Sequence, residues 1–145
     1  MEVHDIRLPV SGTPAAAASA RRQLVAAMRG WGLPADSDAL HAAELMAGEL
    51  LSNAVQHAGP RAITVAARCD GNAIRVEVSD SSRDLPLPRS PTEDDEHGRG
   101  LFIVAALADR YAVEPTASGK RCWAEVRLQT ASSAHVALQV PIPRR

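Results

Sequence analysis

Ile6, Leu8 and Val10 alternate with Arg7 and Pro9, the two-residue period of a short strand, with Pro9 marking its end or an edge position. Ser11-Gly12-Thr13-Pro14 then reads as a turn into a helix. Thr13 is placed to cap it, and Pro14 to open it where a missing amide hydrogen costs nothing. The Ala-rich run continues this helix to about Met28, with Leu24, Val25 and Met28 on one face and Gly30 as the stop. After a Trp31–Pro34 connector, Asp36 or Ser37 caps a second helix reaching about His57. Its apolar positions, Leu40, Ala43, Ala47, Leu50, Leu51, Ala54 and Ala58, keep a 3.6-residue period until Gly59-Pro60. The period then returns to two. Ala62–Arg68 predicts a strand, and Ile74, Val76 and Val78, alternating with Arg75, Glu77 and Ser79, predict its return partner. Asp70-Gly71 or Gly71-Asn72 supplies the hairpin turn.

Residues 81–96 carry no period. They hold Pro86, Pro88 and Pro91 and then the acidic run Glu93-Asp94-Asp95-Glu96. A stretch this long inside a domain predicts a functional loop or a lid, about 81–97. Beyond it, Gly98-Arg99-Gly100 precedes a helix from Leu101 to about Ala108. Tyr111–Val113 and Arg121–Leu128 read as strands separated by a turn near Ser118-Gly119. Residues 129–145 have no strong pattern and are read as a tail to a single domain, 1–128. Strands in runs with helices between them predict a two-layer α/β sandwich: a mixed, mostly antiparallel sheet with helices on one face.

Composition narrows the function. The chain has 145 residues, 46% of them hydrophobic, with a formal net charge of -1. That is enough chain for one real core and too little basic excess for an electrostatic nucleic-acid binder. Aromatic residues make up 3%, which leaves little for stacking on bases. No apolar run approaches a membrane span and Met1–Val10 has no signal-peptide core, so the expectation is a soluble cytoplasmic protein. Cys69 and Cys122 read as two buried free thiols or a facing-strand disulfide. Lys120 is the one lysine, against fifteen arginines.

Three places depart from an ordinary domain. Glu49, Asn53 and His57 recur every four residues of the long helix and form one polar stripe. A carboxylate and an amide so placed suit a hydrated Mg²⁺, which prefers oxygen ligands and retains waters. Asp80 closes a strand, where its carboxylate can hold an exocyclic amine. Gly98-Arg99-Gly100-Leu101 opens a helix, where backbone amides and the helix N-terminus favour a polyphosphate. Taken singly, each has a bland alternative: a solvated helix face, a turn-forming aspartate, a glycine turn.

Their order adds information. Glu49-Leu50-Leu51-Ser52-Asn53-Ala54-Val55-Gln56-His57, Val76-Glu77-Val78-Ser79-Asp80 and His97-Gly98-Arg99-Gly100-Leu101 follow one another like an N box, a G1 box and a G2 box. Gly119-Lys120-Arg121-Cys122-Trp123-Ala124-Glu125-Val126 is similar to a set of closing strands. On these residues the chain resembles the GHKL (Bergerat-fold) ATPase superfamily, and within it the small bacterial anti-sigma-factor serine/threonine kinases. The resemblance spans roughly residues 6–128. It implies Mg-ATP held between the long helix, the sheet and a lid. Asn53 would ligate Mg²⁺, Glu49 would act as general base toward a partner's serine, and Asp80 would accept the adenine amino group. The amides of Gly98 and Gly100, in the turn that runs into Leu101, would cradle phosphates, with Arg99 or His57 adding charge. The implied partners are a sigma factor and an anti-sigma-factor antagonist; relatives commonly dimerise, so a homodimer is open.

Two positions depart from that pattern. Ser82 stands where the family usually has glycine. Gly119-Lys120-Arg121 stands where many relatives have Gly-Lys-Thr, so the threonine hydroxyl often found near the adenine aspartate is missing. Both bear on ATP affinity and leave Asn53 and Glu49 in place. Three readings follow: a kinase that sequesters a sigma factor, an ATP-binding sequestering module without turnover, and a detached domain that acts on a histidine substrate or hydrolyses ATP. Trp31 and Trp123 read as packing residues, and His41 as a helix-surface histidine.

Overall fold

The computed structural model describes residues 3–34, 37–58, 61–82 and 96–128, with only the backbone of Ala58 and residues 96–100. Most of the predicted lid, the Gly59-Pro60 stop, the Asp36 alternative cap and the tail lie outside the described residues. The chain runs β1 (His4–Ser11), α1 (Pro14–Arg29), α2 (Asp38–Ala58), β2 (Ala62–Cys69), β3 (Ala73–Asp80), α3 (Glu96–Leu107), β4 (Arg110–Pro115) and β5 (Lys120–Arg127).

Local chemistry accounts for most of these boundaries. Thr13 Oγ1 accepts the Ala16 amide at 3.2 Å and Pro14 opens α1, as capping chemistry requires. Ser37 caps α2, its Oγ accepting the Leu40 amide at 3.1 Å. The β2–β3 hairpin turns through Asp70-Gly71-Asn72. Gly71 takes φ 94°, and Asp70 Oδ1 accepts the amides of Asn72 and Ala73. Those two amides hold the Asp70 carboxyl below its ordinary range. The main difference from expectation is α3, which begins at Glu96 rather than Leu101. The glycines of the predicted phosphate loop lie inside its first turns. Glycine costs a helix only about 1 kcal/mol, which the packing of the following apolar residues can offset.

The sheet order is β1-β2-β3-β5-β4, and every described pairing is antiparallel. The expected mixed sheet is therefore antiparallel throughout its described part. Pro9 pairs with Thr64 in β1, the edge strand of the described sheet, a position that tolerates a missing backbone donor. Strand alternation sorts the two faces. Ile63, Val65 and Ala67 of β2, Ile74, Val76 and Val78 of β3, and Cys122 and Ala124 of β5 are buried in one core with the helices. The other face is polar. There Arg75 lies over the Trp123 ring at 3.9 Å and pairs with Glu125 at 3.0 Å, so Trp123 is a packing residue of this face.

α2 is the central helix, packed against α1, α3, β2, β3 and β5. Leu40, Ala43, Ala47, Leu50, Leu51 and Ala54 are buried as the period predicted, joined by Met46. Each buried large apolar side chain contributes roughly 1.5–3 kcal/mol. Glu44, also buried, takes a bidentate pair from Arg29 at 2.8 and 3.0 Å, tying the end of α1 to α2. Trp31 stacks on His4 at 5.7 Å, and His41 lies on the exposed side of α2. Cys69 and Cys122 are free: Cys69 pairs with Ile74 and Cys122 with Val78, on opposite sides of β3 and in different registers. The facing-strand disulfide is thereby excluded.

Candidate functional site

α2 presents Glu49, Asn53 and His57 one turn apart, each step roughly 6 Å along the axis. Glu49 and His57 are half-buried, and Asn53 is 4% exposed. Asn53 Oδ1 is buried without a hydrogen-bond partner among the described residues. A buried carbonyl oxygen left unsatisfied costs about 1–3 kcal/mol, and a cation removes that cost. No group of three His, Cys, Asp or Glu side chains able to hold a metal occurs among the described residues. A single amide oxygen suits Mg²⁺ better than most ions, since Mg²⁺ keeps waters and takes its remaining ligands from phosphates. The buried amide oxygen therefore fits a hydrated magnesium–nucleotide, which Asn53 would hold.

Asp80 ends β3, against which α2 packs. It sits opposite Lys120, the first residue of β5, in the β3–β5 register. Both side chains turn to the core face, and they are 1% and 0% exposed. Lys120 Nζ donates to Oδ1 and Oδ2 of Asp80, at 3.0 Å each. The Ser82 amide donates to Oδ1 at 2.8 Å. The sequence-predicted acceptor is thus held by a buried cation from the closing-strand block, to which the sequence pattern assigns no role at the site. Gly119 sits directly against this corner. A Cβ there would overlap the Asp80 carbonyl oxygen and come within 2.5 Å of Ser81 Cα, so only glycine lets the two backbones meet.

The two departures from the family pattern resolve differently. No residue other than glycine has positive φ among the described residues, so Ser82 makes its turn without the left-handed conformation that favours glycine. Ser82 is buried, and its amide caps Asp80. Arg121 lies on the opposite sheet face from Lys120 and pairs with Glu114 at 3.1 Å. The residue beside Asp80 is therefore Lys120. Position 121, where a threonine hydroxyl was missed, points away.

The third predicted cluster falls at the start of α3. Gly98 and Arg99 lie in its first turn, where backbone amides have no intrahelical acceptor; Gly100 follows, and the Leu101 side chain is buried. α3 packs against α2, which brings this helix start and the Glu49–Asn53–His57 stripe onto adjacent elements.

Cys122, next to Lys120 on β5, has its thiol pushed up to about 11, first by burial and then by the Asp80 charge, with Lys120 opposing. The expected result is slow alkylation of Cys122 in the folded protein at pH 8, read by peptide mass spectrometry, and fast alkylation in urea. The unfolded thiol ionises near 9.0 while the folded one stays protonated. Its contribution to stability is therefore present below about pH 9 and is lost as pH rises toward about 11. A Cys122→Ala variant should lack that component of the alkaline decline, measured by urea unfolding across the window.

The histidine kinase-like ATPase domain family matches residues 10–126. The chain belongs to this family. A GHKL-type domain of this kind implies ATP binding. The ATPase domain is also similar in fold to the crystal structure of the RsbU and RsbW domains of Rv1364c from Mycobacterium tuberculosis. The TM-score is 0.65 and the identity 21%, over 86% of this chain and 32% of that one. The chain spans about a third of that structure. None of the curated proteins matches the sequence. No helix among the described residues of the ATPase domain is long and apolar enough to cross a membrane.

Proposed function

We propose that this chain binds Mg-ATP between α2, the β3–β5 corner and the start of α3, and works as a protein serine/threonine kinase that also sequesters a sigma factor. The observation that carries this reading is the buried, unpartnered Oδ1 of Asn53, one helical turn from the half-buried carboxylate of Glu49. Asn53 would hold Mg²⁺. Gly98, Arg99, Gly100 and Leu101 would line the phosphate end, with His57 adding charge, and Asp80 would face the 6-amino group of the base. Glu49 would take the proton from a serine hydroxyl of an anti-sigma-factor antagonist. The serine oxygen then bonds to the γ-phosphorus as its bond to the β,γ-bridging oxygen breaks, leaving ADP. Such a reaction asks mainly for positioning and charge neutralisation. The reading places the protein in the cytoplasm, with a homodimer compatible with it, and gives residues 1–128 as the nucleotide-binding domain.

Titration calorimetry with Mg-ATP tests the reading. Binding is expected, and Asn53→Ala should lower affinity at least tenfold in Mg²⁺ while barely changing it in EDTA. An equal loss in both conditions would remove Asn53 from the metal. A second reading, partner sequestration without turnover, draws on the Asp80–Lys120 pair, which already engages the carboxylate that would grip the base. It predicts nucleotide binding with no transfer to any serine.

A further inference from the structure

Lys120 is the largest fully buried side chain in the described structure and the one lysine of the sequence, and the reaction proposed above gives it no task. Its position is specific. It meets Asp80 across the β3–β5 ladder, reaches both carboxylate oxygens at 3.0 Å, and is joined there by the Ser82 amide at 2.8 Å. Gly119 brings the β4–β5 turn close enough to the Asp80–Ser81 backbone for this to happen.

The consequence concerns discrimination between bases. A protein site rejects a ligand that lacks a hydrogen-bonding group mainly because the site's own buried partner is then left unpaired, and that penalty can reach roughly 10⁴–10⁵-fold. A carboxylate standing alone would reject a purine with oxygen at position 6 in this way. Asp80 does not stand alone: an ammonium and a backbone amide satisfy it whichever purine arrives. We infer that Lys120 is a specificity-determining residue, and that by compensating Asp80 it makes the base site weakly selective between 6-amino and 6-keto purine nucleotides. A 6-amino group gains a hydrogen bond at the remaining capacity of Oδ2. A 6-keto oxygen forgoes that bond but strands no charge, because the ammonium lies 3.0 Å from the same oxygen. One net hydrogen bond corresponds to about tenfold or less in affinity.

This rests on the reading that the base lies against Asp80, and the experiment separates the two. Mg-ATP and Mg-ITP, which differ at the 6-position and at N1 protonation, are titrated into the wild-type chain by calorimetry. A ratio of dissociation constants within about tenfold is expected. Tight ATP binding with a larger ratio overturns the role of Lys120 and leaves the nucleotide site standing. Binding of neither nucleotide at millimolar concentration overturns both. Lys120→Met uncovers the carboxylate and should raise the ratio at least tenfold, whereas Lys120→Arg, which keeps a cation there, should leave it near the wild-type value. An unchanged ratio in folded Lys120→Met also overturns the inference. The wild-type measurement decides even if Lys120→Met does not fold.

Discussion

Lys120→Met is expected to lower the unfolding free energy by about 3–5 kcal/mol, the cost of removing one partner from a buried ion pair. Methionine fills nearly the same volume, so no cavity enters the comparison. What remains is a buried carboxylate that keeps the Ser82 amide and loses both bonds from Nζ. Total stability for a domain of this size is usually about 5–15 kcal/mol, so the variant should sit close to the folding threshold. The double variant Asp80→Asn/Lys120→Met should recover most of the loss. Its amide oxygen still accepts from Ser82 and no charge is left in the core, and replacing a whole buried pair is often neutral. Urea unfolding with constant slope checks both expectations. A loss under about 1 kcal/mol in the single variant would mean that water reaches Asp80 and that the pair is worth no more than a surface one.

Glu49→Gln is expected to leave Mg-ATP affinity within about twofold and to reduce transfer to a serine-bearing antagonist by roughly 10²–10⁴, the range for loss of a general base. Glutamine keeps the shape and hydrogen-bonding reach of the side chain but cannot take the proton. Glu49 is half-buried on the same stripe as Asn53, so it is accessible to a partner while remaining one turn from the proposed metal ligand. Single-turnover transfer of the γ-phosphoryl group from Mg-ATP is the measurement. Undiminished transfer would remove Glu49 from the chemistry. Loss of binding together with transfer would make it a nucleotide-site residue instead.

The elements that were legible in the sequence are those whose local chemistry agrees with their packing. Thr13 and Pro14 mark the start of α1, the Leu40–Ala54 stripe marks the buried side of α2, and Gly71 marks the hairpin, because cap, period and turn each need particular residues. α3 starts five residues before the position its apolar run predicts. Gly98 and Gly100 weaken a helix locally, and only the surrounding structure overrides that weakness. Within the candidate site, Glu49, Asn53 and Asp80 stood out because polar residues there interrupt apolar patterns. Lys120 did not, since its partner is forty residues away and local patterns carry no such information. One signal was available. Lys120, Cys122, Ala124 and Val126 share one phase of the β5 alternation, while Arg121, Trp123 and Glu125 share the other. Extending the strand by a single residue turns the lone lysine inward, where it requires an anion.

The pairing of Asp80 with Lys120 also bears on when a nucleotide site can exist. Asp80 is made early in the chain, but its counter-ion arrives only after α3, β4 and the turn at Gly119, and only if β5 inserts between β3 and β4. Contacts this distant in sequence form late, because loop closure must precede them. A chain halted after β3 carries the carboxylate but lacks β5, and with it the ammonium that compensates the buried charge. Nucleotide would then bind finished molecules and pass over partial ones, adding about 2.7 kcal/mol to them at a hundredfold excess over the dissociation constant. The same pair thus ties any nucleotide-dependent gain in stability to the closing of β5 between β3 and β4.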